Sequence, residues 1–110
     1  MIIDVNSLQM SSEILFEVRK KAEAGETLTA VEQELINDDW NLGLNYAENV
    51  HFQFQQELLS EEQWTSTRNN LRGRARNPQF VEWWSRERNS WRESFADVID
   101  QLIEEERATQ

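Results

Sequence analysis

The chain has 110 residues, of which 38% are hydrophobic and 29% are charged, and it contains three glycines, one proline and no cysteine. A chain of this length forms one domain with a modest core, and its scarcity of turn-forming residues excludes a β-sandwich or a β-barrel. The formal net charge of −10 disfavours binding to nucleic acid or to an anionic membrane surface, and the absence of cysteine excludes disulfides and thiolate chemistry.

The charge is distributed unevenly along the chain. Residues 1–66 carry 13 acids and three bases, whereas residues 67–92 carry seven arginines and two glutamates. Residues 93–110 return to six acids and one arginine. The sequence therefore places a basic segment between two acidic ones.

The sequence shows no targeting or membrane signal. Its first ten residues lack the basic region of a signal peptide, and no apolar run approaches the ~20 residues that cross a bilayer. We therefore expect a soluble, cytoplasmic protein that is not attached to a membrane.

The first helix is predicted at residues 11–24, after an N-terminal arm of residues 1–10. Ser11 is a candidate N-cap, and Gly25 is expected to end the helix because glycine readily adopts the left-handed conformation of a C-cap. The apolar stripe of this helix consists of Ile14, Leu15, Val18 and Ala22.

A long helix at about residues 29–59 is the central element of the prediction. Thr29 and Glu32 form a capping box at its start. Gly43 lies in its interior, where we expect either a bend or a close approach to the helix backbone. One apolar stripe consists of Val31, Leu35, Leu42, Tyr46, Val50, Phe54 and Leu58. A second stripe consists of Ile36, Trp40, Leu44, Ala47 and Phe52.

Three further helices are predicted at residues 61–76, 78–88 and 92–105. A second capping box, Ser60 with Gln63, starts the first of them, and Asn77–Pro78 starts the next. Residues 106–110 are expected to form a disordered acidic tail. The predicted fold is therefore an all-α, compact bundle of about five helices in a single domain, residues 11–105. Their inner faces are expected to consist of Trp64, Leu71 and Ala75, then Phe80, Trp83 and Trp84, then Phe95, Val98, Ile99, Leu102 and Ile103.

The runs ELLSEEQW, NPQFVEWW and SFADVIDQLI occur in this order. Their layout resembles that of a widespread family of uncharacterised bacterial proteins with the pattern LLxEExW, PxFxxWW and FxxxID. The resemblance implies a bacterial source and the same order of helices, and it carries over no catalytic residue. Members of that family usually begin with a membrane-spanning helix, which this chain lacks.

Two sets of residues are candidates for an interaction site. Arg68, Arg72 and Arg76 recur every four residues, so their guanidinium groups line one helix face that suits an anion, an acidic partner or the acids of neighbouring helices. Trp83, Trp84 and Trp91 belong either to the core or to an aromatic platform. Because adjacent helical residues point about 100° apart, we expect only one of Trp83 and Trp84 to be fully buried.

Glu48 and His51 have the spacing of a ligand pair in di-iron helical bundles. The chain has only one histidine, so a complete site of that type would need a second copy of the chain. The alternative is a histidine on a polar helix face. No cofactor is predicted.

We interpret the chain as a non-enzymatic protein-interaction or scaffold module that forms a homodimer and binds another protein. The sequence predicts no binding to nucleic acid or membrane. Two alternatives remain open at this point. One is an acidic decoy that blocks a basic or nucleic-acid-binding partner, and the other is a metal-binding helical protein that uses Glu48 and His51.

Overall fold

A computed structural model describes residues 5–109, with side chains from residue 12 onward. Within these residues the chain forms five α-helices and one short 3₁₀ helix, and it forms no β-strand. The predicted all-α fold is therefore confirmed. The helices are α1 (Val5–Glu23), α2 (Ala30–Gln55), α3 (Glu61–Ala75), α4 (Pro78–Glu87) and α5 (Glu93–Ala108), with the 3₁₀ helix at Arg88–Ser90.

Both ends of the chain are more helical than the sequence predicted. Helix α1 begins at Val5, so residues 5–10 are helical and Ser11 lies inside the helix instead of capping it. Leu8, Gln9 and Met10 favour helix, which accounts for the longer α1. The first four residues of the predicted arm lie outside the described residues. Helix α5 continues to Ala108 instead of ending in a disordered tail, because arginines of α3 hold its last turns.

Helix α2 ends at Gln55, earlier than predicted, because Glu57 adopts a left-handed conformation with φ of 63°. The N–H of Leu58 donates to the carbonyl of Gln53, and the N–H of Glu57 donates to that of Phe54. These two bonds form a Schellman motif, which closes a helix and turns the chain away from its axis. Glutamate is an uncommon residue at a left-handed position, so this turn could not be predicted from the residue type.

Packing divides the chain into two units, Met1–Asp39 and Trp40–Gln110, and each is described by itself. In the first unit Val18, Ala22 and Ile36 are buried. Two ion pairs join α1 to the start of α2: Lys21 Nζ lies 2.8 Å from Glu32 Oε2, and Arg19 Nε donates to Asp39 Oδ2 at 2.9 Å. Gly25, with φ of 75°, ends α1 as predicted. The Thr29–Glu32 capping box is also present.

The second unit is built around the short helix α4. Trp83 and Trp84 are only 3% and 2% exposed, so the prediction that one of them lies at the rim is wrong. Other elements cover α4 on two sides: the ring centroid of Trp83 lies 5.4 Å from that of Trp40, and the ring of Trp84 lies 6.3 Å from that of Trp91. Helices α3 and α5 complete this core with the following buried residues: Trp64, Leu71, Ala75, Phe95, Ile99, Leu102 and Ile103.

The face of α2 that packs inward in the second unit differs from the first predicted stripe. Trp40, Leu44 and Ala47 of the second stripe are buried, together with Val50 of the first. Leu42 and Tyr46 of the first stripe and Phe52 of the second are exposed. The buried face also contains Gly43 and His51, which a count of apolar residues does not assign to a core. In the first unit Val31 and Leu35 of the same predicted stripe are exposed as well.

Gly43 permits a close approach to α2, one of the two outcomes predicted for this position. A Cβ atom placed on Gly43 would overlap the guanidinium group of Arg74 from α3. Arg74 on α3 thus lies over Gly43, while the ring of Trp64 lies 4.8 Å from that of His51. Later residues of α2 therefore meet earlier residues of α3, and the two helices run antiparallel.

Truncating the core of the second unit should destabilise the protein strongly. Trp84→Ala and Phe95→Ala each remove a fully buried ring, and we expect each to lower the free energy of unfolding by about 3–5 kcal/mol. Leu42→Ala is the matched control, and its exposed side chain should change that free energy by less than about 0.5 kcal/mol. Urea denaturation measures all three. A loss below about 1 kcal/mol for Trp84→Ala would contradict this description of the core.

Candidate functional site

The arginine row of α3 lies against the carboxylates of α5. Arg72 Nη1 donates to Glu105 Oε2 at 2.8 Å and lies 3.5 Å from Glu106 Oε1. Arg76 Nε donates to the other oxygen of Glu106 at 2.8 Å. Arg68 is partly buried on the same helix, and its positive charge also acts on Glu105. The predicted row is therefore present, and Arg72 and Arg76 bind the acids of a neighbouring helix.

These pairs stabilise the charged carboxylates. The hydrogen bond from Arg76 is the main cause that lowers the pKa of Glu106, and the hydrogen bond from Arg72 has the same effect on Glu105. Glu106 is only 7% exposed, and its carboxylate is paired with both Arg72 and Arg76. These ion pairs hold the last turns of α5 against α3 and involve two of the three arginines of the row.

The tryptophans form part of the core instead of an exposed platform. Trp83 and Trp84 are buried, and Trp91 is half-buried beside Trp84 and Phe95. The indole N–H of Trp84 donates to Asp100 Oδ1 at 2.7 Å. Trp83 and Trp84 therefore cannot present their ring faces to a ligand without rearrangement of the core. Trp91 is the member of the predicted set that retains access to solvent.

Asp100 joins Trp84 to the 3₁₀ segment. Its second oxygen accepts a hydrogen bond from Arg88 Nη2 at 2.6 Å. Burial by itself raises the pKa of Asp100, but the hydrogen bonds from Arg88 and Trp84 outweigh it, so the net pKa lies below the ordinary value. The carboxylate consequently remains charged at neutral pH and satisfies a buried indole.

His51 packs among aromatic rings and not on a polar face. It is 8% exposed, and its ring centroid lies 4.8 Å from that of Trp64 and 6.0 Å from that of Phe95. The Glu48 carboxylate instead accepts a hydrogen bond from the backbone N–H of Arg92 at 3.0 Å, just before α5. Among residues 12–109 no group of three or more potential ligands is placed to hold a metal ion. The geometry therefore gives no support to the metal-binding alternative.

Sequence reasoning missed a surface on the outer side of α2 and at the α2–α3 connection. Leu42, Tyr46 and Leu58 are 73%, 68% and 72% exposed. The sequence predicted that they belong to a packed stripe. Their residue types are those of a core, and only the structure shows that their side chains are exposed. In the structure they form an uncovered apolar surface in the second unit.

A groove of about 490 Å³ lies beside this surface, between α2 and α3. Val50 and Leu59 supply apolar surface inside it, and Tyr46 forms part of its wall. The remaining lining is polar and mostly uncharged, with one carboxylate from Glu62. The amide and hydroxyl groups of this lining are contributed by Asn49, Gln53, Gln63, Ser66 and Thr67.

Two smaller depressions lie elsewhere in the second unit. One, of about 280 Å³, has an apolar lining flanked by Arg76 and Arg107. The other, of about 260 Å³, is bordered by Arg88 and Trp91, whose indole N–H is buried without an acceptor among the described residues. Neither contains an arrangement of groups that indicates a reaction.

Comparisons with known proteins give no relative, because no family model, curated protein or solved structure matches the chain. The resemblance to the bacterial family therefore stays a prediction. Across residues 5–109 none of the helices combines the length and the apolar character that crossing a bilayer requires.

His51 should make the free energy of unfolding depend on pH in a range separate from that of the carboxylates. Burial lowers the pKa of His51 below 6.5, and the negative charge of Glu48 opposes this shift only in part. Below about pH 6.5 the unfolded chain therefore takes up a proton that the folded chain does not, and stability falls until the folded pKa is reached. Chemical denaturation between about pH 7.5 and 5 should show this slope, and His51→Gln should abolish it.

The carboxylates provide the internal control for this experiment. Asp100, Glu105 and Glu106 have lowered pKa values, so the stability they contribute is present above about pH 4 and is lost at lower pH. The wild type and His51→Gln should both lose this stability as the pH falls below about 4. A slope between about pH 7.5 and 5 that is equal in wild type and His51→Gln would contradict the assignment to His51.

Proposed function

We propose that the protein is a non-enzymatic protein-interaction or scaffold module that binds through the exposed outer side of α2. The observation that carries this proposal is the exposure of Leu42, Tyr46 and Leu58, while the opposite face of α2 is buried. Leu42 and Tyr46 are one helical turn apart on the same face of α2, and exposed apolar surface of this kind commonly marks an interaction site on a small protein. In this proposal the protein is cytoplasmic, and it binds neither nucleic acid nor membrane.

The positions of the charged residues also favour an interaction module over an acidic decoy. A decoy requires carboxylates that are free along one surface. Here Asp39, Asp100, Glu105 and Glu106 are bound to arginines of the same chain. The charges of these four residues thus serve the fold and are not available to a decoy surface.

Affinity capture from cells of the source organism tests the proposal. Leu42→Glu combined with Tyr46→Glu should abolish capture of a partner that the wild-type protein retains, because a charge on this surface cannot be buried at low cost. Asn41→Glu combined with Asn45→Glu is the matched control, since it adds the same two charges to exposed polar positions of α2. Equal capture by all three proteins, with unchanged thermal unfolding, would contradict a binding role for this surface.

Self-association is a separate prediction, and the first unit supplies exposed apolar residues that a second copy could cover. These residues are Ile14, Phe16, Val31 and Leu35. We expect sedimentation at micromolar concentration to give about twice the chain mass of 13.1 kDa. Added salt should strengthen the dimer, since it screens the repulsion between two chains of charge −10.

Paired substitutions locate the dimer contact. Val31→Glu with Leu35→Glu should give a monomer, whereas Leu42→Glu lies in the second unit and should leave the mass unchanged. A wild-type mass of 13.1 kDa at every protein and salt concentration would show that the protein is a monomer.

A further inference from the structure

The groove between α2 and α3 has the dimensions of a site for a helix. Its α2 wall runs from Tyr46 to Gln53, a separation of seven positions that spans about 10 Å. This is the distance between residues i and i+7 of a bound helix, which dock their apolar side chains along such grooves. Val50 and Leu59 supply matching apolar surface inside the groove. Leu58, which precedes Leu59 in the chain, is exposed.

The lining mixes apolar groups with polar groups that are mostly uncharged, which suits an amphipathic ligand. Removing water from amide and hydroxyl groups costs less free energy than removing it from charged groups. The one charged group in the lining is the carboxylate of Glu62, and it lies at the α3 start. Apolar side chains can therefore enter the middle of the groove without stripping water from a charge.

The charge around the groove is one-sided. Residues 40–67 contain four acids and no lysine or arginine. Glu57, Glu61 and Glu62 surround the α2–α3 connection and are exposed, and none of the three forms an ion pair with a residue in the described part of the chain. At the opposite end of the helix pair the guanidinium group of Arg74 lies over Gly43.

We propose that this groove binds a basic amphipathic helix of another protein. The apolar face of that helix enters between α2 and α3, and its lysines or arginines lie at the end marked by Glu57, Glu61 and Glu62. This inference rests on the proposed interaction function and names the class of partner. It also assigns an orientation, because the cationic end of the ligand points away from Arg74.

A second copy of this chain fits the groove less well. Its own segment from Ala22 to Thr67 contains ten acids and no lysine or arginine, so its α2 would bring like charges to the groove. Arg72, Arg76 and Arg88, which could complement acids, are already held in ion pairs of their own chain. Three of the seven arginines of residues 67–92 are thus engaged within their own chain, which favours a different protein as the source of the complementary cations.

Titration with designed peptides tests the inference. A fluorescein-labelled helical peptide of about 16 residues carries leucines at positions i, i+3, i+7 and i+10 and lysines on the other face. A second peptide has glutamates in place of the lysines, and a third has the leucines scrambled. Fluorescence anisotropy should show binding of the first peptide, and at least tenfold weaker binding of the other two. Added salt should weaken the first complex.

Variants assign the binding to this groove. Glu61→Gln with Glu62→Gln should weaken the basic peptide at least tenfold while it preserves the Ser60–Gln63 capping box of α3. Asp97→Asn with Glu104→Gln removes the same charge from exposed positions of α5 and should leave the affinity unchanged. Tyr46→Glu should weaken every peptide that binds. Thermal unfolding verifies that each variant is folded.

Three results would overturn the inference. The first is equal affinity for the basic and acidic peptides, and the second is equal loss of affinity in the α3 and α5 charge variants. The third is absence of peptide binding together with a sedimentation mass that Tyr46→Glu lowers, which would assign the groove to a second copy. If no peptide binds but Leu42→Glu with Tyr46→Glu still abolishes capture from cells, the interaction module stands and the basic helix is excluded.

Discussion

The second unit depends on the burial of Trp84 together with its neighbour Trp83. Two adjacent tryptophans on one helix can both be buried only if other elements cover the helix over a wide arc. Trp40 from α2 covers one side of α4, and Trp91 after the 3₁₀ segment covers the other. The indole N–H of Trp84 then requires an acceptor, which Asp100 supplies, and Asp100 in turn fixes Arg88. A short helix thus organises a core much larger than itself.

The basic segment of the sequence has a structural role within the same unit. Arg72 and Arg76 bind Glu105 and Glu106, so that α5 remains helical well past the point where its apolar pattern ends. Pairs that are partly exposed contribute modestly one at a time, but here the largely buried carboxylate of Glu106 is shared by two guanidinium groups. A row of arginines with helical spacing therefore indicated correctly that anions lie opposite it, and the anions belong to the chain.

Local signals in the sequence predicted most of the helix boundaries. Both capping boxes, the Gly25 stop and the Asn77–Pro78 start depend on residues within a few positions of one another, and all are present in the structure. The start of α1 was missed, because Ser11 lies inside the helix. The end of α2 was missed because Glu57 adopts a left-handed conformation that its side chain does not favour, and the hydrogen bonds of the Schellman motif hold that turn.

The inner face of α2 could not be derived from its apolar residues alone. Two stripes were available, and the buried one includes Gly43 and His51, whose positions are explained only by Arg74 and Trp64 from α3. A histidine that sequence spacing related to a metal site is in fact a packing residue. The groove could not be predicted from the sequence for the same reason, because its walls come from α2 and α3, whose relative register depends on those contacts.

Apolar residues of α2 are therefore exposed because another face of the helix packs into the core. The residues around them determine the polarity and charge of this surface. A leucine that is mostly exposed adds little to the stability of the isolated chain, because little of its apolar area is removed from water on folding. The groove beside Tyr46 keeps its single carboxylate near the start of α3, where the helix dipole also favours negative charge. Glu61 and Glu62 thus help to begin α3 and at the same time place negative charge at one end of the α2–α3 groove. The same two residues satisfy the fold and, in the interaction proposed above, determine the charge that a partner must carry.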